Sequence, residues 1–249
     1  MDGEFIRDYL ITLIKGIRVV GRRWGGDNLI FLPYNGGDLD CVMRLFKGYV
    51  RLQFPEFQID KLNTSIIEYL ANIAIGSADR KGLIIRGEVG VGKTTLLKIW
   101  LKFRLTILAP NIAELPIRRD DVNDRVMKVS FLDPISLLSA FTKSGYGLFE
   151  EKTGDILVVD DLGISTDINH FGTIVNVLEQ LILSRYNEFK NSPNLEFYGT
   201  TNLTSDQLTQ LIGERAKSRL TEMTAWKEGL ILGNDRRKDK RKLNVWPKI

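Results

Sequence analysis

Apolar residues recur at helical spacing in three early segments of this chain. Residues 5–17 carry Phe5, Ile6, Tyr9, Leu10, Leu13, Ile14 and Ile17; residues 39–53 carry Leu39, Val42, Met43, Phe46 and Val50. Residues 64–75 carry Ile66, Ile67, Tyr69, Leu70 and Ile73, with Thr64 or Ser65 as the expected start. Phe54-Pro55 ends the second segment, because a residue before proline is pushed out of the helical region. Between the first two helices, Gly25-Gly26 and Gly36-Gly37 flank a short apolar piece that Pro33 stops.

From Gly82 the pattern changes. Leu83-Ile84-Ile85, Val126 to Phe131, Ile156 to Val159 and Leu195 to Thr200 are short apolar runs that read as strands. Helical spacing fills the gaps, over about 94–105, 135–141 and 172–189. Near-continuous apolar strands separated by helices predict a parallel sheet covered on both faces. The chain is therefore expected to be α/β, with a nucleotide-binding layout beginning near residue 62.

Composition bounds this picture. The chain has 249 residues, 43% hydrophobic and 27% charged, which suits one large domain with a small appendage and a substantial core. No run approaches the roughly 18 consecutive apolar residues of a membrane span. The start, MDGEFIRDYL, puts acids where a secretory signal wants bases. Cys41 is the one cysteine and His170 the one histidine, so neither an intramolecular disulfide nor a Cys/His zinc site is available. A cytoplasmic protein without a membrane partner is expected. The net charge of +4 is concentrated in the last 17 residues, which hold seven bases and two acids. That tail is a candidate phosphate-backbone contact or a solvated end.

Four segments carry chemistry. Gly87-Glu88-Val89-Gly90-Val91-Gly92-Lys93-Thr94 fits G-x-x-x-x-G-K-[ST] at every required position. Its glycines let main-chain N–H groups close around phosphate oxygens, Lys93 faces the β- and γ-phosphates, and the Thr94 hydroxyl suits Mg²⁺. The helix that follows, with Thr95 in its first turn, turns its positive end to the same anion. Ile156 to Val159 then delivers Asp160 and Asp161 to the edge of the sheet where phosphates lie. Asp160 suits the metal and Asp161 an attacking water, although a plain turn would explain the pair if it stood alone.

The third segment, Phe197 to Asn202, ends a strand in an amide. Asn202 suits contact with a γ-phosphate or the lytic water; alternatively it belongs to the start of the next helix, since Thr204 to Gln207 has capping-box form. In the fourth, Gly213 to Leu220, Arg215 and Arg219 are four apart and share a helical face. Either one serves a neighbouring subunit's γ-phosphate, or the helix is solvated with Arg219 paired to Glu222.

Together the four motifs resemble the AAA+ ATPases, and more narrowly the bacterial helicase-loader and transposition-ATPase group (DnaC/IstB-like). GEVGVGKTT, ILVVDDLG, ILSRYNEF, TTNLTSDQL, IGERAKSRLTEM and ILGNDRRK carry the likeness, which spans about residues 62–238. The resemblance implies a five-stranded parallel sheet with helices on both faces and ATP bound between subunits of a ring or spiral. It implies Asn202 as sensor 1 and Arg219 as an arginine finger acting in trans, with Arg215 the second choice. Arg185 would fall on a helix near subunit contacts, or serve in a structural ion pair. Too few residues follow Arg219 for a helical lid, as in the lidless loader-like group. Asp161 stands where many AAA+ proteins have Glu.

The expected organisation is an N-terminal partner-docking region over 1–61, an ATPase core over 62–232 and a basic tail over 233–249. The expected activity is Mg²⁺-dependent ATP hydrolysis by an oligomer on DNA, with single-stranded DNA favoured, serving a replicative helicase or a transposase. Two rivals remain on sequence alone: a nucleotide-gated scaffold that scarcely hydrolyses, and a small-molecule P-loop kinase.

Overall fold

The computed structural model describes residues 39–105, 129–149, 154–192 and 194–233. The expected helix over 5–17, the glycine-rich stretch after it and residues 234–249 of the basic tail lie outside them. Helices α1 (Leu39–Gln53) and α2 (Thr64–Ile75) precede strand β1 (Gly82–Arg86) and helix α3 (Lys93–Phe103). Strand β2 (Val129–Leu132), helix α4 (Pro134–Ser144) and strand β3 (Ile156–Val159) follow. A hairpin of β4 (Asp167–His170) and β5 (Thr173–Asn176) leads into helix α5 (Val177–Asn191), strand β6 (Glu196–Thr201) and helix α6 (Ser205–Met223).

The main sheet is parallel with the order β1-β6-β3-β2. It has four strands among the described residues, where five were expected. The fifth place, outside β1, is taken by the segment after α6, which makes two isolated parallel bridges, Leu83 to Ala225 and Arg86 to Leu230. Between those bridges this segment has two more residues than β1, so it bulges at Trp226–Gly229 and does not run as a continuous strand. Main-chain bonds still fix it, from Ile84 N–H to Ala225 at 3.0 Å and from Ile231 N–H to Arg86 at 2.8 Å.

Side chains alternate across the sheet, as period-2 geometry requires. Leu83, Ile85, Ile156, Val158 and Tyr198 enter a core shared with α1, α2 and α3. Ile84, Leu157, Val159 and Phe197 enter the opposite core, shared with α4, α5 and α6. Helix α1, assigned on sequence to the N-terminal region, thus shares the first core: Phe46 packs edge-on to Trp100 at 5.3 Å and to Phe103 at 5.2 Å.

Side-chain caps mark three of the helix starts among the described residues, those of α4, α5 and α6. Asp133 and Ser136 form a capping box at α4, with Pro134 in the first turn, and Thr204 with Gln207 form another at α6. Helix α2 has the expected bounds, starting at Thr64, but no side chain caps it. Its cap position is Asn63, whose side chain is turned away to accept from Asp60 N–H and donate to the Gln58 carbonyl. The Thr64 hydroxyl donates to the Asp60 carbonyl. The helix expected over 172–189 also starts later, at Val177, where the Asn176 side chain accepts from Glu179 N–H at 3.0 Å. The residues before it form β5, paired antiparallel with β4 across a Phe171-Gly172 turn. Both turn residues have positive φ, 50° and 82°, the geometry that suits a two-residue hairpin.

Two arginines are buried among the described residues. Arg104 pairs with Glu196 and donates to the Tyr198 hydroxyl, and burial holds that phenol well above its ordinary range. Arg185 donates to the carbonyls of Gly154, Asp155 and Glu196 and to the Glu188 carboxylate, and burial lowers its affinity for the proton. At 1% exposure its side chain ties the starts of β3 and β6 together, which is the structural ion pair of the two roles expected for it.

Candidate functional site

Because β1, β3 and β6 are parallel, their C-terminal ends meet at one edge of the sheet. β1 leads into the Gly87–Thr94 loop, β3 into Asp160-Asp161, and β6 into Asn202. Three of the four sequence motifs therefore converge. Gly90 and Gly92 take φ values of 84° and 98°, which bend the loop into the start of α3. Gly87 is needed for a different reason: a Cβ there would lie 2.3 Å from the Ile231 carbonyl oxygen, in the segment that flanks β1.

Lys93 is 9% exposed, and its ammonium donates to the carbonyls of Gly87 and Glu88 at 2.7 and 2.8 Å. The charge is thus held across the mouth of the loop. Glu88 and Val89 are exposed on the rim, Val91 is buried beneath it, and Thr95 is half-buried in the first turn of α3. Thr94 donates to Asp160 Oδ1 at 2.8 Å. A hydroxyl and a carboxylate so placed beside a phosphate loop fit Mg²⁺, which takes few protein ligands and fills its shell with water and phosphate oxygens. Among the described residues no group of three His, Cys, Asp or Glu forms an all-protein cage.

Asp161 is exposed and has φ 59°, an uncommon conformation for a residue with a side chain. Its N–H donates to Thr200 Oγ1 at 2.9 Å, and the same hydroxyl donates to Asp160 Oδ1 at 2.5 Å. Thr200 is a site residue that sequence reasoning missed. It sits inside the strand run, and its partners lie 39 and 40 positions away, so no local pattern marks it. Asn202 is exposed, and its amide oxygen lies near Gly163, where a Cβ would approach it to 2.6 Å. The cap of α6 is Thr204, so Asn202 is not the capping residue.

The fourth motif is not brought to this edge by the chain itself. Helix α6 breaks at Gly213 (φ 79°, ψ 156°), and Arg215 and Arg219 follow the break. Arg215 is exposed. Arg219 donates to Glu222 at 2.6 Å and to the Tyr186 hydroxyl at 3.3 Å, and its guanidinium lies 4.6 Å from the centre of the Tyr186 ring. The Glu222 pair is the alternative that the sequence offered. Tyr186 also donates to Glu222 at 2.5 Å. That bond, then the guanidinium, hold the Glu222 carboxyl below its ordinary range.

No family model matches the sequence, and no curated protein sequence matches it. Solved structures do. Domain III of the Thermotoga maritima replication initiation protein DnaA matches with TM-score 0.50 and 16% identity, over 76% of this chain and 70% of that one. AMPPCP-bound DnaA from Aquifex aeolicus matches with TM-score 0.50 and 17% identity, over 77% of this chain and 55% of that one. The chain has the AAA+ P-loop fold. The DnaC helicase loader structure is also similar, with TM-score 0.49 and 19% identity, over 75% of this chain and 99% of that one. Within this AAA+ fold, no described helix is long and apolar enough to cross a membrane.

Proposed function

We propose that this chain is an ATP- and Mg²⁺-dependent ATPase that assembles as an oligomer on DNA, loading a replicative helicase or serving a transposase. One observation carries the catalytic part. The Thr94 hydroxyl meets the Asp160 carboxylate at 2.8 Å, beside a buried lysine in a complete phosphate loop. The nucleotide in the Aquifex aeolicus DnaA structure, a triphosphate analogue, supports ATP as the ligand. Assignment to the loader or transposition group rests on the TTNL and GERAKSRL segments.

The reaction is in-line attack of water on the γ-phosphate, with the bond to the β–γ bridging oxygen breaking and ADP leaving. The loop N–H groups and Lys93 hold the phosphates and offset the charge that develops on their oxygens. Thr94 and Asp160 would hold Mg²⁺, which when bound would supply further charge neutralisation. Asp161 orients the water and takes its proton, and Asn202 reports the γ-phosphate. Arg219 reaches the phosphate of the adjacent subunit, so hydrolysis depends on assembly. Two observations favour a second reading, a scaffold gated by nucleotide with slow turnover. Asp161 has a shorter arm than glutamate, and Arg219 is engaged by its own helix.

Sedimentation with ATP, with ADP and with single-stranded DNA tests this function. ATP-dependent assembly, strengthened by DNA and lost in Lys93→Ala, is the expected result. A monomer under all conditions, with phosphate transferred to a small acceptor, would replace it with the kinase. Deleting residues 236–249 tests the tail: DNA affinity with unchanged salt dependence would exclude it as the contact.

A further inference from the structure

We propose that Thr200 is the positioning residue that sets both candidate carboxylates, Asp160 and Asp161, for work at the phosphate site; this rests on the function proposed above. Thr200 is 1% exposed in β6. Its hydroxyl donates to Asp160 Oδ1 at 2.5 Å and accepts from Asp161 N–H at 2.9 Å. Its carbonyl accepts from Leu162 N–H at 2.8 Å. One residue thus holds three consecutive residues beyond the end of β3.

The chemistry needs a hydroxyl there. A hydroxyl donates and accepts at once, which neither an aliphatic side chain nor an ammonium can do. Its accepting side is used by the N–H of a residue at φ 59°. A side-chain-bearing residue persists in that conformation only where its surroundings hold it. Thr200 supplies such a hold on both sides of Asp161, through its hydroxyl before and its carbonyl after. Its donating side fixes Asp160, whose Oδ1 also accepts from Thr94 at 2.8 Å. The carboxylate is therefore clamped between a hydroxyl from α3 and a hydroxyl from β6. Without Thr200 the carboxylate keeps one anchor and is free to turn, and the left-handed residue after it loses its N–H partner. Partners that orient metal-binding side chains commonly change metal affinity or activity by about 10–100-fold when removed.

The experiment compares wild type, Thr200→Val and Thr200→Ser. ATP affinity is measured with and without Mg²⁺ by titration with a fluorescent ATP analogue, alongside kcat, KM and thermal unfolding without ligand. The valine variant keeps the shape and removes donor and acceptor; Thr200→Ala makes the same deletion should valine not fold. The expected result is a loss of about tenfold or more in the affinity gained from Mg²⁺. Affinity without Mg²⁺ stays within about twofold, kcat falls by about 10–100-fold, and serine restores both. Full retention of the Mg²⁺ gain and of kcat in the valine variant overturns the proposal. So does an equal loss of affinity with and without Mg²⁺ that serine leaves uncorrected, which marks a fold effect. A wild-type protein that binds no ATP under either condition overturns the phosphate-site function itself, and this role with it.

Discussion

Arg219 donates to the carboxylate of Glu222, less than one turn further along α6, at 2.6 Å. The finger proposed to act on a neighbour is therefore held by its own subunit in an exposed ion pair. Such pairs contribute little to stability, because water competes for both partners. Exchange from Glu222 to a phosphate is accordingly inexpensive. Arg219→Ala is expected to retain ATP binding while assembly-dependent turnover falls on the order of 10³-fold. Turnover unchanged at saturating protein would remove the assignment.

The Tyr186 hydroxyl is the first cause of the lowered Glu222 carboxyl, ahead of the Arg219 guanidinium. Glu222 is thus expected to titrate below an ordinary glutamate. A depressed acid stabilises the fold above its unfolded value and loses that contribution as pH falls through the folded one, so the pair persists at neutral pH. Tyr186→Phe and Arg219→Ala are each expected to raise the Glu222 midpoint, because each removes a group that lowers it. Carboxyl-carbon NMR titration measures both, and a midpoint left unchanged by Tyr186→Phe would contradict the role given to Tyr186.

The buried pair of Arg104 and Glu196 has a different energetic sign. Arg104→Met leaves a carboxylate at 7% exposure without the guanidinium that pairs with it, while it still accepts from the Tyr198 hydroxyl. Breaking such a pair costs about 3–5 kcal/mol, whereas replacing both partners by apolar groups is nearly neutral. Urea denaturation is expected to show that loss in the single variant and recovery when Glu196→Leu and Tyr198→Phe are added, since the Tyr198 hydroxyl bonds to both removed partners. A single variant within about 1 kcal/mol of wild type would contradict it.

Gly229 ties the flank of the sheet to the phosphate loop. A Cβ there would lie 1.8 Å from the Ile84 carbonyl oxygen, and two residues on, Ile231 abuts Gly87. Gly229→Ala is expected to cost about 1–3 kcal/mol by overpacking and to weaken ATP binding as the loop's neighbour shifts. Unchanged urea midpoint and unchanged nucleotide affinity would show that this segment does not support the loop.

Features that depend on neighbours in sequence were legible in advance. The bounds of α2, the Thr204–Gln207 box and the phosphate loop all rest on contacts a few residues apart. The hairpin was not, because Val175, Leu178, Leu181 and Ile182 keep helical spacing and Phe171-Gly172 is a weak turn signal. The fifth strand was misjudged because a two-residue bulge interrupts its pairing. At the site, Asp160 and Asp161 could be picked out from the strand that carries them. Thr200 could not, because its hydroxyl acts on residues 39 and 40 positions earlier.

The most direct test of the central claim is steady-state ATP hydrolysis against protein concentration, with and without single-stranded DNA and with Lys93→Ala as the blank. Turnover per subunit that rises steeply with concentration, and again with DNA, is the expected result. Turnover that stays flat and indifferent to DNA would contradict a DNA-assembled ATPase with a finger in trans.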